Sequence, residues 1–147
     1  MSKIFQALLT GVFFTFILDF FLFLGIQQHY INFYAIDIYY NILFVDNQNI
    51  FIYSFVSIFI GYLVIYLNSN KLSAIVLGMM FFLVSLTLHH DIGNFIAKKI
   101  LMKENVTIQW KTHTYNGDIY YNGRDVITFY DYELKKFILL NKKDIKQ

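Results

Sequence analysis

The sequence predicts an α-helical membrane protein with three transmembrane helices and a small C-terminal antiparallel β module, for which an SH3-like barrel is one candidate form. The 147 residues are 57% hydrophobic and 20% aromatic, which is too apolar for an ordinary soluble chain of this length. Three apolar runs approach the roughly 20 residues that a helix needs to cross a membrane. After residue 104 the hydrophobic pattern changes from the period of a helix to that of a strand.

The first predicted transmembrane helix, residues 4–26, carries an acid, Asp19, well inside it. Steps of four residues stay on one side of a helix, and from Asp19 backwards they give Thr15, Gly11 and Ala7. Small residues allow another helix to approach closely, so we expect a packing face here. The run is too long for the apolar region of a signal peptide and no small-residue cleavage pattern follows, so we expect the helix to be retained.

The second and third predicted helices, residues 50–67 and 72–88, are separated by only four residues and should form a tight antiparallel hairpin. Both have small-residue faces, which are predicted to pack against other helices: Ser54, Ser57 and Gly61 on the second helix, and Ala74, Gly78 and Ser85 on the third. The connection between the first two helices, residues 27–49, is predicted to hold a short helix at the membrane interface, over residues 31–45.

We predict three segments: a transmembrane domain over residues 1–91, a basic amphipathic surface helix over 92–104, and the β module over 105–147. The pairs Asn116-Gly117 and Asn122-Gly123 are strong hairpin signals and predict four short strands. About 40 residues is near the lower limit for independent folding. We therefore expect the module's apolar residues to be completed by the amphipathic helix, the first loop or another chain: Trp110, Ile119, Phe129 and Phe137.

Tyrosine-rich surfaces favour either the membrane boundary or contacts with other proteins. In the β module we expect protein contact, with Trp110, Tyr120 and Tyr130 as the partner-binding residues. The expected partners are the lipid bilayer and other membrane subunits or further copies of the chain. The lysines lie beside acids and follow a membrane segment, so nucleic acid is not an expected partner.

With three crossings, the β module and the loop 27–49 lie on one side of the membrane, opposite the N-terminus. Four lysines on the module's side, Lys98, Lys99, Lys103 and Lys111, outnumber Lys3 and Lys71, which favours a cytoplasmic module. The preference for Lys, Asn, Ile, Tyr and Phe is typical of AT-rich bacteria. The predicted location is therefore a bacterial inner membrane.

Asp19, His29 and His89 form the predicted polar site, because the crossing count brings all four histidines to one side and places Asp19 nearer to it. A carboxylate at membrane depth costs a few kcal/mol on insertion scales, so it is retained for a reason. It could handle a proton or an ion, or it could be a hydrogen-bonded joint satisfied by Thr15, a serine of the second helix or a tyrosine. The histidines could hold a metal or haem, although their spacing is not specific.

The function predicted from these patterns is that of a structural, accessory or assembly component of a membrane complex, acting through a membrane-proximal β module. The alternative is a component that binds a metal or haem or handles protons or ions, using Asp19 and the histidines on its side. The chain has no cysteine, which excludes thiolate sites, and we expect no cofactor. The sequence contains no catalytic arrangement that we recognise, so no residue is assigned to catalysis.

Overall fold

The computed structural model describes residues 2–67, 69–111 and 113–145. Within those residues, five α-helices precede a four-stranded antiparallel sheet, which confirms the helical class and the C-terminal sheet. In chain order the elements are α1 (Lys3–Ile26), a π-helical turn (Gln27–Ile31), α2 (Tyr40–Asn47), α3 (Ile50–Ile65), α4 (Asn70–Ser85), a 3₁₀ turn (Leu86–Leu88), α5 (His90–Leu101), β1 (Lys103–Trp110), β2 (His113–Asn122), β3 (Val126–Asp131), β4 (Lys136–Asn141) and a second 3₁₀ turn (Lys142–Asp144).

The chain divides into two compact units, Met1–Gly93 and Asn94–Gln147. The first unit contains α1 to α4 and the first residues of α5. The second contains the rest of α5 and the sheet. Each unit has its own buried residues.

Two helical segments in the described part of the chain are long and apolar enough to cross a membrane, Lys3–Ile31 and Asn70–Leu88. The 16 residues of α3 extend only about 24 Å, less than the roughly 30 Å of a hydrocarbon core. Helices α2 and α3 are long and apolar enough to cross a membrane only if they are taken together, and they are bent by 85° at the break between them. By length and composition, two helices can therefore span a membrane, or three if the bent pair is one span.

The bend between α2 and α3 arises without proline, of which the chain has none. Gln48 and Asn49 have extended backbones, and the Asn49 side chain accepts hydrogen bonds from the backbone N–H groups of Phe51 and Ile52. These bonds satisfy two of the amides that a helix start leaves without partners. Asn49 thus starts a new helix in a new direction, at the residue where the sequence predicted the loop 27–49 to end and the second helix to begin. The interfacial helix predicted over residues 31–45 is shorter in the structure and lies over Tyr40–Asn47.

Helix α1 is the central element of the first unit. Helix α3 packs antiparallel along its first half, since Gly11 lies against Ser57 and Gly61 against Ala7. The last turn of α1 lies against the 3₁₀ turn after α4, because a Cβ atom at Gly25 would be 2.5 Å from the carbonyl oxygen of Thr87. The chain's longest helix therefore has a different neighbour on each half.

The sheet is a meander in the order β1-β2-β3-β4. The predicted hairpin turn at Asn116-Gly117 is wrong, because both residues lie inside β2 and pair with β1. Gly117 instead allows β3 to approach β2 closely, because a Cβ atom at Gly117 would be 1.9 Å from the carbonyl oxygen of Tyr130. Strands β1 and β2 pair as far as Trp110 and His113, and Lys111, directly after β1, has a left-handed backbone with φ 56°. At the second predicted turn, Asn122-Gly123, Asn122 is the last residue of β2 and pairs with Ile127, and Gly123 follows the strand.

The core of the sheet consists of five buried apolar residues: Ile108, Ile119, Ile127, Phe129 and Leu140. Trp110 and Ile145 pack against it and form a bridge, and the Lys111 amide donates to the Asp144 carbonyl over 3.0 Å. The chain after β4 thus returns to the first strand. This simple meander gives no support to the SH3-like form. Ile119 and Phe129 are buried within this core, whereas the sequence predicted that they need contacts from outside the module.

Candidate functional site

The crossing of α1 and α3 is built from the small residues that the sequence singled out. A Cβ atom at Gly11 would lie 1.8 Å from the Ser57 carbonyl oxygen, and one at Gly61 would lie 2.1 Å from that of Ala7. Real Cβ atoms essentially never come within 3.0 Å of such a neighbour. The two backbones are therefore in direct contact, as small residues at corresponding positions allow.

Thr15 and Ser57 are buried on the packed faces of these helices. No hydrogen-bond partner is found among the described residues for the Oγ1 atom of Thr15 or the Oγ atom of Ser57. The two helices are held here by close backbone packing. Neither hydroxyl is the partner of Asp19 that the joint hypothesis named.

Asp19 is half-buried, and its Oδ2 atom accepts a hydrogen bond of 3.0 Å from the side-chain amide of Gln48. Gln48 is the residue at which α2 ends and the chain bends into α3. Two tyrosines also bond to the backbone of α1: Tyr40 of α2 donates to the Phe20 carbonyl, and Tyr53 of α3 donates to the Val12 carbonyl. The carboxylate therefore links the middle of α1 to the break between α2 and α3.

His29 lies at the other end of α1, on the π-helical turn. Its Nε2 atom is 2.7 Å from the carbonyl oxygen of Leu88, and its ring meets the ring of His90 edge to face at 5.4 Å. Phe33 also contacts the His90 ring at 5.4 Å. Gly93 permits this packing, because a Cβ atom there would be 3.2 Å from the His29 side chain. The side chain of His29 joins the end of α1 to the start of α5.

The three residues of the predicted polar site do not come together. Asp19 and His29 are ten residues apart on α1, which is about 15 Å at 1.5 Å per residue. His89 is exposed, and it is the next residue, His90, that meets His29. Among the residues described, no group of three His, Asp or Glu side chains is placed to hold a metal ion.

The small residues of α4 are placed differently from those of α1 and α3. Gly78 is exposed, and nothing described lies within 4 Å of the position that a Cβ atom would take. Ser85 is exposed too, and its hydroxyl donates to the Phe81 carbonyl one turn earlier. Both residues lie on an outer surface of the helix.

In the second unit, Tyr120 and Tyr130 lie on the face of the sheet opposite to its core. Their rings pack around Phe137, at centroid distances of 4.8 and 5.2 Å. We call Tyr120, Tyr130 and Phe137 the aromatic face. Trp110 is placed on the other side, where its ring packs against the core and the Lys111 ammonium lies 4.3 Å from the ring centroid.

Tyr132 extends this region beside Tyr130, with ring centroids 6.4 Å apart. Its hydroxyl donates to the Asp118 carboxylate and lies 3.1 Å from the side-chain oxygen of Asn105. The hydrogen bond to Asp118 raises the pKa of the Tyr132 phenol above its usual value of 10, since losing the proton would place two negative charges together. The tyrosine is therefore held in its protonated, hydrogen-bonding form.

Sequence reasoning missed Gln48 as the partner of Asp19 and chose His89 where the structure brings His90 to His29. It named Phe137 as an apolar residue of the module but did not group it with Tyr120 and Tyr130. Gln48 and His90 are polar residues beside helix ends, which is a signal that could have been used, but their partners are distant in sequence. Comparison with protein-family models, with curated proteins and with solved structures found no match.

Proposed function

We propose that this chain is a small integral membrane protein that serves as a structural, accessory or assembly component of a membrane complex. In this proposal the helices of the first unit lie in the bilayer, and the β module docks onto a partner. Trp110 supports the module's core from within, while Tyr120 and Tyr130 contribute to the docking surface. Other membrane subunits or further copies of the chain are the partners that fit this role.

The observation that carries the proposal is that the sheet has apolar residues on both faces. One face holds the packed core, so the aromatic face is not required as a second core of the module. The other carries the aromatic face together with Leu139, whose side chain is 69% exposed. Tyrosine is favoured in protein interfaces because it buries a large area while its hydroxyl stays hydrated.

The exposed small residues of α4 support the same role. Within the first unit, Ala7 and Gly11 of α1 pack against Ser57 and Gly61 of α3. In contrast, Gly78 and Ser85 of α4 are exposed. In a bilayer there is little hydrophobic drive between helices, and small residues are what allow two backbones to pack. A helix of another subunit could pack on this side of α4.

We place the protein in a bacterial inner membrane with the β module in the cytoplasm, following the lysine count. A fluorescent protein that matures only in the cytoplasm, fused to the C-terminus, should then fluoresce. An active alkaline phosphatase at the same position would reverse the orientation.

The docking role is tested by purification in a mild detergent, which should yield a defined oligomer or a complex with a stoichiometric partner. Tyr130→Ala should weaken that association at least tenfold, as loss of an interface tyrosine does when it costs about 1.4 kcal/mol or more. Tyr39→Ala is the matched control, since Tyr39 is a highly exposed tyrosine of the other unit. A wild-type protein that stays monomeric and alone would refute the proposal.

The break beside Asp19 favours one second candidate, the handling of protons or cations. Non-helical backbone at membrane depth is tolerated where it is buried in protein or lines a polar site, and broken helices often mark ion sites. Asp19→Asn keeps the shape and can still accept the bond from Gln48, but it cannot ionise. Ion or proton flux into vesicles carrying the wild-type protein, lost in Asp19→Asn, would support this candidate. Absence of flux in the wild type would leave Asp19 as a joint.

A further inference from the structure

Strand β4 is an edge strand with an open side. It pairs with β3 in the order of the sheet, and no strand in the described part of the chain pairs with its other side. The opposite edge differs, because Trp110 of β1 is bridged by Ile145. Edge strands present unpaired backbone groups to which another extended chain can add.

The register shows which backbone groups point outward. Lys142 donates its amide to the Asp125 carbonyl, in direct continuation of the β4–β3 register that pairs Asn141 with Val126. In an antiparallel pair, residues that exchange hydrogen bonds alternate with residues whose N–H and C=O point away. Leu139 and Asn141 therefore direct their backbone groups away from β3.

The surroundings of this edge set the chemistry of an added strand. Leu139 is 69% exposed, so an apolar side chain opposite it would bury both. Lysines stand at both ends of β4: Lys135 precedes it, Lys136 is its first residue, and Lys142 and Lys143 follow it. None of these four lysines has an ion pair within 4.0 Å to a carboxylate of the described residues, whereas Lys111 pairs with Asp144.

We infer that the open edge of β4 binds an extended segment of a partner protein, with apolar residues at its centre and acidic residues at both ends. This inference rests on the proposed docking role and names the form of the partner's segment. Backbone hydrogen bonds to Leu139 and Asn141 would hold the segment in register. The flanking lysines would select acidic over basic sequences, and that selection should weaken as salt is added.

The full-length protein in detergent is tested with two labelled peptides by fluorescence anisotropy. One has a centre of alternating Val and Thr, about five residues long as in an ordinary strand, with two acidic residues at each end. The other has Lys in place of every acidic residue. The acidic peptide should bind at least tenfold more tightly, and equal binding or a preference for the basic peptide would overturn the inference.

Two variants locate the binding. Leu139→Pro removes an outward N–H but no hydrogen bond to β3, and proline is tolerated at such edge positions; it should weaken the acidic peptide at least tenfold. The double variant Lys136→Glu with Lys143→Glu changes two exposed residues, one at each end of β4. It leaves one lysine and one glutamate at each end, so it should abolish the preference for the acidic peptide. Because the charge variant needs no backbone change, it keeps the test valid if Leu139→Pro does not fold. An unchanged preference would overturn the inference.

The remaining outcomes separate this inference from the docking role. A stoichiometric partner that stays bound to both variants would overturn the β4 inference and leave the docking role standing. Concentration-dependent dimers of the wild type that are lost in Leu139→Pro would show a second copy at this edge, which overturns the acidic-partner assignment. A chain that is monomeric, without a partner and without peptide binding would refute both.

Discussion

Gly11 provides the sharpest test of the packing between α1 and α3. Replacing it with Ala puts a Cβ atom 1.8 Å from the Ser57 carbonyl oxygen, where at least 3.0 Å is needed. The backbones must therefore separate by about 1.2 Å, the difference between those two distances. Gly78→Ala is the matched control, because the same change on α4 meets nothing within 4 Å.

The magnitude follows from the difference between the two variants. Replacing Gly by Ala favours a helix by up to about 1 kcal/mol, and this term is common to both positions. Overpacking typically costs about 1–3 kcal/mol, and a gap of 0.5–1 Å already removes about a quarter to a half of each contact's attraction. We expect Gly11→Ala to be about 2 kcal/mol less stable than Gly78→Ala, which is a factor of about 30 in the unfolding equilibrium.

The free energy of unfolding can be measured in mixed micelles by titrating with a denaturing detergent and following helix content by circular dichroism. Gly78→Ala should match or exceed the wild type, and Gly11→Ala should fall below both. Equal stabilities for the two variants would show that α1 and α3 do not approach as described, and the reasoning from backbone contact would fail.

Two further predictions concern the β module. The side chain of Asp131 is only 2% exposed, and its Oδ1 atom accepts hydrogen bonds from the amides of Glu133 and Leu134 in the turn before β4. Asp131→Ala should lower the free energy of unfolding by about 1–3 kcal/mol. Asp131→Asn should lower it by less, because an acceptor oxygen remains, and thermal melts of the two variants measure the difference. Tyr132 should lose its proton above pH 10, since its pKa is raised in the folded state. Its contribution to stability is therefore complete below pH 10 and is lost as the pH rises through the folded-state pKa. The absorbance at 295 nm of the wild type minus that of Tyr132→Phe should show this late titration, and a difference that titrates at or below pH 10 would contradict it.

The helical class, the C-terminal sheet and the close-packed stripe of α1 could be predicted because they depend on local pattern. Apolar length and spacing are read directly from neighbouring residues, and Ala7 and Gly11 stand one turn apart on the same face. The start of α3 at residue 50 was predicted in the same way, but the 85° bend between α2 and α3 was not. Asn49 caps α3 by accepting hydrogen bonds from the amides of Phe51 and Ile52, and these local bonds do not specify the angle at which α3 leaves α2.

The partners of the polar groups were decided by tertiary structure alone. The sequence placed Asp19 at membrane depth and grouped it with His29 and His89, because crossing counts give the side of the membrane but not the distance. The fold pairs Asp19 with Gln48, and it pairs His29 with Leu88 and His90. The hydrogen bond of Asp19 joins residues 29 positions apart in the chain, and that of His29 joins residues 59 positions apart.

Asn116-Gly117 shows the same division within the sheet. The pair is a strong local turn signal, yet β3 approaches Gly117 so closely that a side chain there would clash with the Tyr130 carbonyl. A glycine required by a neighbouring strand and a glycine required by a turn are identical in the sequence. The sequence by itself determined which segments are apolar, helical or extended, since those properties depend on residues adjacent in the chain. Which segments touch depends on the backbone path between them, and only the tertiary structure decided it.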